Sequence, residues 1–310
     1  MTKEKKKDSK FTRRFSAIVR YELLWNIRKK KFLGIIIVAF ALATIALVVP
    51  VILSNVRNNP IAQNPDQAVT TGVGIGGLGF FLFAVVIAMN SISGEFESGT
   101  IVPLLTKPVS RTMIFLGKTL ASFIILLTTY TILLCYLSIG SIVIYGPQNN
   151  LHLLPLALVG SIISTFIWIA MILAISTLSK SSMMAALGAF GIWLGLTIGT
   201  GIVSVFTEQA WVLDYLPGNG ASGYIGSFNL GSTVSTGTNS IASNLVTYIL
   251  NPSANVTYFK IGGFPGPVIT PLYTEPLLLV LVRSIIVAAV YIMLFMFISW
   301  FAFKRAEVLE

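Results

Sequence analysis

Charge is scarce in this sequence, and the scarcity is uneven. Asp, Glu, Lys and Arg make up 10% of 310 residues, against about 25% in soluble globular chains. From Thr119 through Ser179, 61 residues pass without one of them. With hydrophobic residues at 55%, such a chain cannot cover its surface with groups that water accepts. A soluble enzyme, a disordered tail and a nucleic-acid module are excluded on that ground.

Cysteine and histidine are nearly missing. Cys135 is the single cysteine and lies in an apolar run, where it reads as a small packing residue. No disulfide forms within the chain, and Cys135 and His152 alone do not hold a transition metal. His152 sits at the edge of an apolar run, too shallow for a Ser–His intramembrane protease. Carboxylates are absent from the apolar runs, which disfavours proton or sodium coupling.

Charge is concentrated at the N-terminus instead. Between Met1 and Lys31 stand twelve Lys/Arg against three acids, Glu4, Asp8 and Glu22. Six later segments are long and apolar enough to span a bilayer: Phe32–Leu53, Val73–Ile92, Leu120–Tyr145, Leu154–Leu178, Met183–Phe206 and Pro276–Phe303. Each must be a helix to satisfy its backbone in hydrocarbon. The first lacks a clean cleavage site and is expected to be a retained span, not a signal peptide. With the N-terminus cytoplasmic, the inside segments carry eighteen Lys/Arg and the outside only Arg57 and Lys260, so both termini are expected inside.

The fold expected is therefore all-α and polytopic. Residues 1–31 form a cytoplasmic basic tail and an interfacial helix, with 1–10 disordered. Apolar residues alternate with arginines over 12–31 at roughly helical spacing, which fits a helix lying on the inner leaflet; a solvated basic tail drawn to anionic lipid is the alternative. Residues 32–206 hold spans one to five with a loop at 94–112. Residues 207–275, rich in Gly, Ser, Thr, Asn and Pro, form an external region, either a small subdomain or a partly re-entrant cap, with short strands near Asn255–Ile261. Span six occupies 276–303 and a cytoplasmic tail 304–310. Asn255-Val256-Thr257 is a candidate glycosylation sequon on the outer side.

Several motifs carry competing readings. Gly117-Lys118-Thr119 resembles the end of a phosphate-binding loop, but position 112 is Thr112 and the segment enters a membrane helix; nucleotide binding is rejected. Gly72 and Gly76 in span two, and Gly188, Gly191 and Gly195 in span five, suit close helix approach, either at a dimer or gate interface or in packing within the chain. Arg283, inside span six, either snorkels outward or faces an anionic substrate in a pathway.

The most informative stretch joins spans two and three: Ser91-Ile-Ser-Gly-Glu-Phe-Glu-Ser-Gly-Thr-Ile-Val-Pro-Leu-Leu-Thr-Lys-Pro-Val-Ser-Arg-Thr-Met-Ile-Phe-Leu-Gly-Lys118. It reads as a short amphipathic helix, a break at Gly99-Thr100 and a helix restart capped by Ser110. Its acids, Glu95 and Glu97, sit where a soluble partner can pair with them. The order Glu-x-Glu-x-Gly-Thr, an apolar stretch, Leu-Leu-x-x-Pro-Val-Ser-Arg and Gly-Lys resembles the ABC-2 type permeases of ATP-binding cassette exporters. That resemblance implies six spans, an N-terminal connecting helix and a coupling helix that docks on an ATPase. It places Gly94, Glu95, Phe96, Glu97, Gly99 and Thr100 in the coupling region, and Pro108, Arg111 and Lys118 in the return to span three. It also implies two separate ATPase subunits carrying ATP and Mg2+, a second permease copy or related permease, and no cofactor in this chain. The external stretch is longer than the compact family version. An ATPase-coupled anchor acting through the external region, and a channel or secondary carrier, are the readings from other classes.

Overall fold

The computed structural model describes residues 2–28, 31–56, 65–74, 78–100, 109–206, 215–217, 233–235, 240–262 and 268–306. Among them, Ile36–Val56, Arg111–Tyr145, Leu151–Ser179 and Leu277–Arg305 are helical, long and apolar enough to cross a membrane. The helices in chain order are α1 (Thr2–Arg28), α2 (Lys31–Val56), α3 (Gln67–Gly74), α4 (Leu78–Ala88), α5 (Ser93–Glu97), α6 (Arg111–Tyr145), α7 (Leu154–Ser179), α8 (Ser182–Phe206), α9 (Ile241–Leu250) and α10 (Leu277–Arg305). The protein is an all-α polytopic membrane protein with one small sheet.

Three boundaries differ from expectation, each for a local reason. Helix α1 starts at Thr2, where disorder was expected; Lys and Glu are good helix formers. The second apolar run ends as a helix at Ala88, not Ile92. Asn90, Ser91 and Ser93 favour the turn that follows, with Ser91 N donating to Ala88 O at 3.1 Å. Helix α6 begins at Arg111, not Leu120. The Ser110 hydroxyl caps it, accepting from Met113 N at 3.1 Å. Its 35 residues span about 52 Å, longer than a hydrocarbon core of about 30 Å.

Helix α7 is the axis of the bundle. Ile167, Ile169, Ala170 and Ile172 on it are fully buried. Tyr130 of α6 reaches across to it, its hydroxyl 2.8 Å from Thr165 Oγ1. Cys135 corrects an expectation: it is exposed on the outer face of α6. Tyr130, Leu133, Leu134 and Leu137 already fill the inward stripe of that helix, and the 3.6-residue period turns Cys135 away from it.

The far end holds the strands. β1 (Thr233–Ser235), β2 (Asn255–Gly262) and β3 (Val268–Pro276) form an antiparallel sheet in that order, with Val234 opposite Phe259 and Val256 opposite Glu275. The expected strand near Asn255–Ile261 is thus present with two companions. Leu277 N donates to Ala254 O at 2.9 Å, tying the sheet to the start of α10. Helix α9 runs back along α7. A Cβ on Gly160 would strike the backbone of Ala242, so only glycine permits this approach. Gly160 lies six residues past the start of α7, about 9 Å along its axis.

Candidate functional site

The described part of the segment between α4 and α6, residues 89–100 and 109–110, forms an elbow around α5 whose side chains reach several neighbouring helices. Helix α5 has only five residues, too few to be stable alone. Tertiary contacts hold it instead. Ser93 N donates to Ser176 Oγ of α7 at 3.1 Å, so a side chain from another helix satisfies one of its open amides. Ser98 N donates back to Gly94 O and Gly99 N to Phe96 O. Gly99 then takes φ +67, the left-handed conformation that ends the helix and favours glycine. Ser98 and Thr100 hydroxyls lie 2.9 Å apart on the exposed tip.

Glu95 turns inward. One of its oxygens accepts from Lys118 Nζ at 2.7 Å, and the same Nζ donates to Glu22 of α1 at 2.7 Å. The Lys118 and Glu22 side chains are 2% and 6% exposed, so this ion chain is buried. A buried lysine persists only with such partners. Helix α1, 96 positions away, and the successive helices α5 and α6 therefore meet at one ammonium group. Gly117 beside it lets α1 close on α6: a Cβ there would lie 2.7 Å from Ile18 Cγ2. A narrow cleft of mixed lining opens next to the chain, with Trp25, Val86 and Ile87 facing Asn26, Asn90 and the two carboxylates.

Glu97 is exposed but engaged. Its Oε1 accepts from Ser182 N at 2.7 Å and its Oε2 from the Ser182 hydroxyl. Ser182 is the first residue of α8, so a carboxylate from α5 satisfies one of the open amides of that helix and faces its positive end. Phe96 packs edge-on against Phe303 of α10 at 6.4 Å, and Lys180 lies 5.9 Å above its ring. Arg111 donates to the carbonyls of Lys304 and Ala306 at 2.9 and 2.8 Å, closing the carboxyl end of α10. Trp300 Nε1 adds a bond to Thr112 Oγ1 at 3.3 Å.

The structure thus brings Gly94, Glu95, Phe96, Glu97, Gly99, Thr100, Arg111 and Lys118 into one region. Pro108 lies outside the described residues. The two acids, expected to face a soluble partner, are held within the chain. Glu22 was missed as a site residue. It stands in the stripe Phe15, Ile18, Val19, Glu22, Leu23, Asn26, spaced by three and four residues, and a carboxylate on that stripe is the signal for an internal cation.

The other candidates are placed apart from the elbow. Arg283 turns toward the sheet, where it donates to Glu275 at 2.9 Å and Tyr258 Oη at 3.2 Å, with Tyr215 5.8 Å beneath its guanidinium. Gly72 packs within the chain, against Leu134 and Leu154. Gly188 faces Ile175, whereas Gly191 and Gly195 face open space. Asn255 is exposed at the start of β2.

Apolar helices long enough to cross a bilayer, packed around α7 and joined at one end by the short helix α5, define a polytopic membrane protein. The chain belongs to the ABC-2 family: the model of the ABC-2 family transporter protein matches residues 16–308. It is a permease subunit of an ABC transporter. No curated protein matches it.

Proposed function

We propose that this chain is the permease of an exporter for an amphipathic or hydrophobic substrate, such as a lipid, a glycan precursor, a peptide or a drug. It spans the cell membrane six times, with α3–α4 and α8 as spans two and five and both termini cytoplasmic, as the Lys/Arg distribution favours. Two copies, or one copy with a related permease, form the pathway. Two separate ATPase subunits bind ATP and Mg2+ and dock at the elbow. The observation that carries the reading is the wiring of α5: a push on its exposed tip, Ser98–Thr100, acts through named bonds on α6, α7 and α8, and through α6 on α1 and α10. Glu95 and Lys118 stiffen the elbow, Glu97 passes its motion to α8, and Arg111 passes it to α10. Arg283 anchors the external sheet on span six, and Gly191 and Gly195 present the face of span five toward a second permease. The apolar spans, nearly free of charge, favour the substrate class.

Affinity purification of the chain from its own membranes in mild detergent tests this. A stoichiometric ATPase is expected to come with it, and its hydrolysis rate is expected to change when the permease is present. A folded, oligomeric chain that repeatedly comes without any ATPase would overturn the reading and favour the anchor or carrier alternatives.

A further inference from the structure

Helix α9 dips into the bundle and stops there. Its carboxyl end lies at the sheet, where Tyr248 packs with Val256 and Leu277. Its amino end lies far from the sheet: Ile241 shares a core cluster with Ile167 of α7 and Ala288 of α10. Counted from Leu154 and Leu277, where those helices start, Ile167 and Ala288 stand about 20 and 17 Å along them. The ten residues of α9 themselves cover about 15 Å, half of a hydrocarbon core of about 30 Å. A half-helix of this kind leaves the open amides of its first turn inside an apolar bundle. Ser240, only 5% exposed, caps one of them, its hydroxyl accepting from Ser243 N at 3.1 Å. The amides of Ile241 and Ala242 have no acceptor among the described residues.

Helix α7 brings a further donor to the same place. Ser164 is fully buried, and its hydroxyl has no hydrogen-bond partner among the described residues. Gly160, four positions earlier, touches Ala242, and Ile167, three positions later, packs with Ile241. Ser164 stands between them on the same face of the helix, so its hydroxyl points to the first turn of α9. Buried donors without an acceptor cost free energy, and here they converge at the positive end of a helix dipole. A group rich in acceptor oxygens and carrying negative charge satisfies them together. We propose that the amino end of α9 and Ser164 of α7 form a binding site, inside the bundle, for a phosphate or carboxylate group. The site deepens the exporter reading and rests on it: an amphipathic substrate with such a head places it here while its apolar part lies along the spans. Entry requires α9 to slide along α7, which the contact at Gly160 permits because no side chain interlocks there.

The test uses the full chain in dodecyl maltoside micelles without any ATPase, read by amide hydrogen exchange over residues 240–250, with 111–125 as reference. The probes are dodecyl phosphate, inorganic phosphate and dodecyltrimethylammonium. A ligand that binds only the seated helix slows its opening about tenfold at ten times its Kd. Dodecyl phosphate is expected to reach that slowing over 240–250 and to leave 111–125 unchanged. Slowing by dodecyl phosphate alone would assign the site to the head of an amphiphile, and equal slowing by inorganic phosphate would assign it to a free anion; both support the site. Ser164→Ala deletes an unbonded hydroxyl and should fold. It should raise the half-maximal concentration of dodecyl phosphate about tenfold, the effect of losing one hydrogen bond to a charged group, and Ser164→Thr should restore it. Absence of local slowing with either phosphate would overturn the site. So would equal slowing by dodecyltrimethylammonium, which would mean insertion of an apolar chain whatever its head, or a half-maximal concentration that Ser164→Ala leaves unchanged. None of these outcomes bears on whether an ATPase binds, so the exporter reading stands or falls separately.

Discussion

Removing the Lys118 ammonium should be the most damaging single change at the elbow. Lys118→Met keeps the length of the stem and deletes the charge that Glu22 and Glu95 share at 2.7 Å each. Both carboxylates then stay in a region where Glu22 is 6% and Glu95 17% exposed, with the shared cation gone. Breaking a buried ion cluster by removing one member costs about 3–5 kcal/mol. At an unfolding entropy of about 2.1 cal/mol/K per residue, a loss of about 4 kcal/mol over 310 residues lowers Tm by about 6 °C. The assay is thermal unfolding in detergent, followed by loss of monodispersity. A control separates charge from shape: Glu22→Met and Glu95→Met added to Lys118→Met should recover at least half of the loss, since an apolar cluster of similar volume replaces a buried ion cluster at little cost. A drop below about 2 °C for Lys118→Met would refute the buried chain. A triple variant no better than the single one would show that the cost does not come from stranded carboxylates.

Two further outcomes follow from specific contacts. Glu97→Gln removes the negative charge at the start of α8, worth about 0.5–1 kcal/mol, so amides of Ser182–Ala185 should exchange about two- to fivefold faster while α7 is unchanged. Gly160→Ala drives a methyl group into the backbone of Ala242 and should cost about 1–3 kcal/mol, with faster exchange over α9. Gly191→Ala meets nothing within 4 Å and should leave Tm of the isolated chain unchanged or slightly raised, which makes it the matched control.

The membrane class was legible because it rests on counts and periods. Unbroken apolar runs cross a bilayer only as helices, so the runs at α2, α7 and α10, and the end of α6, could be placed within a few residues. The Ser110 cap, the β2 strand and the motif of the ABC-2 family were equally local. Helix ends were less legible where polar residues compete with the apolar signal, as at Ala88, or where a helix starts before its apolar run, as at Arg111.

Within the site, residue types were readable and directions were not. Sequence marked Glu95, Glu97, Arg111 and Lys118 as the charges of one loop. It could not tell that Glu95 faces Lys118 or that Glu97 reaches Ser182, because those partners lie 23 and 85 positions away. Glu22 and Lys118 are 96 positions apart, and only the packing of α1 on α6 sets them face to face. A local pattern determines where a chain can be helical and which side must be apolar. Which charge neutralises which depends on helices crossing one another, and that is decided by tertiary packing, where an ion out of water must find a partner at hydrogen-bond distance or not be buried at all.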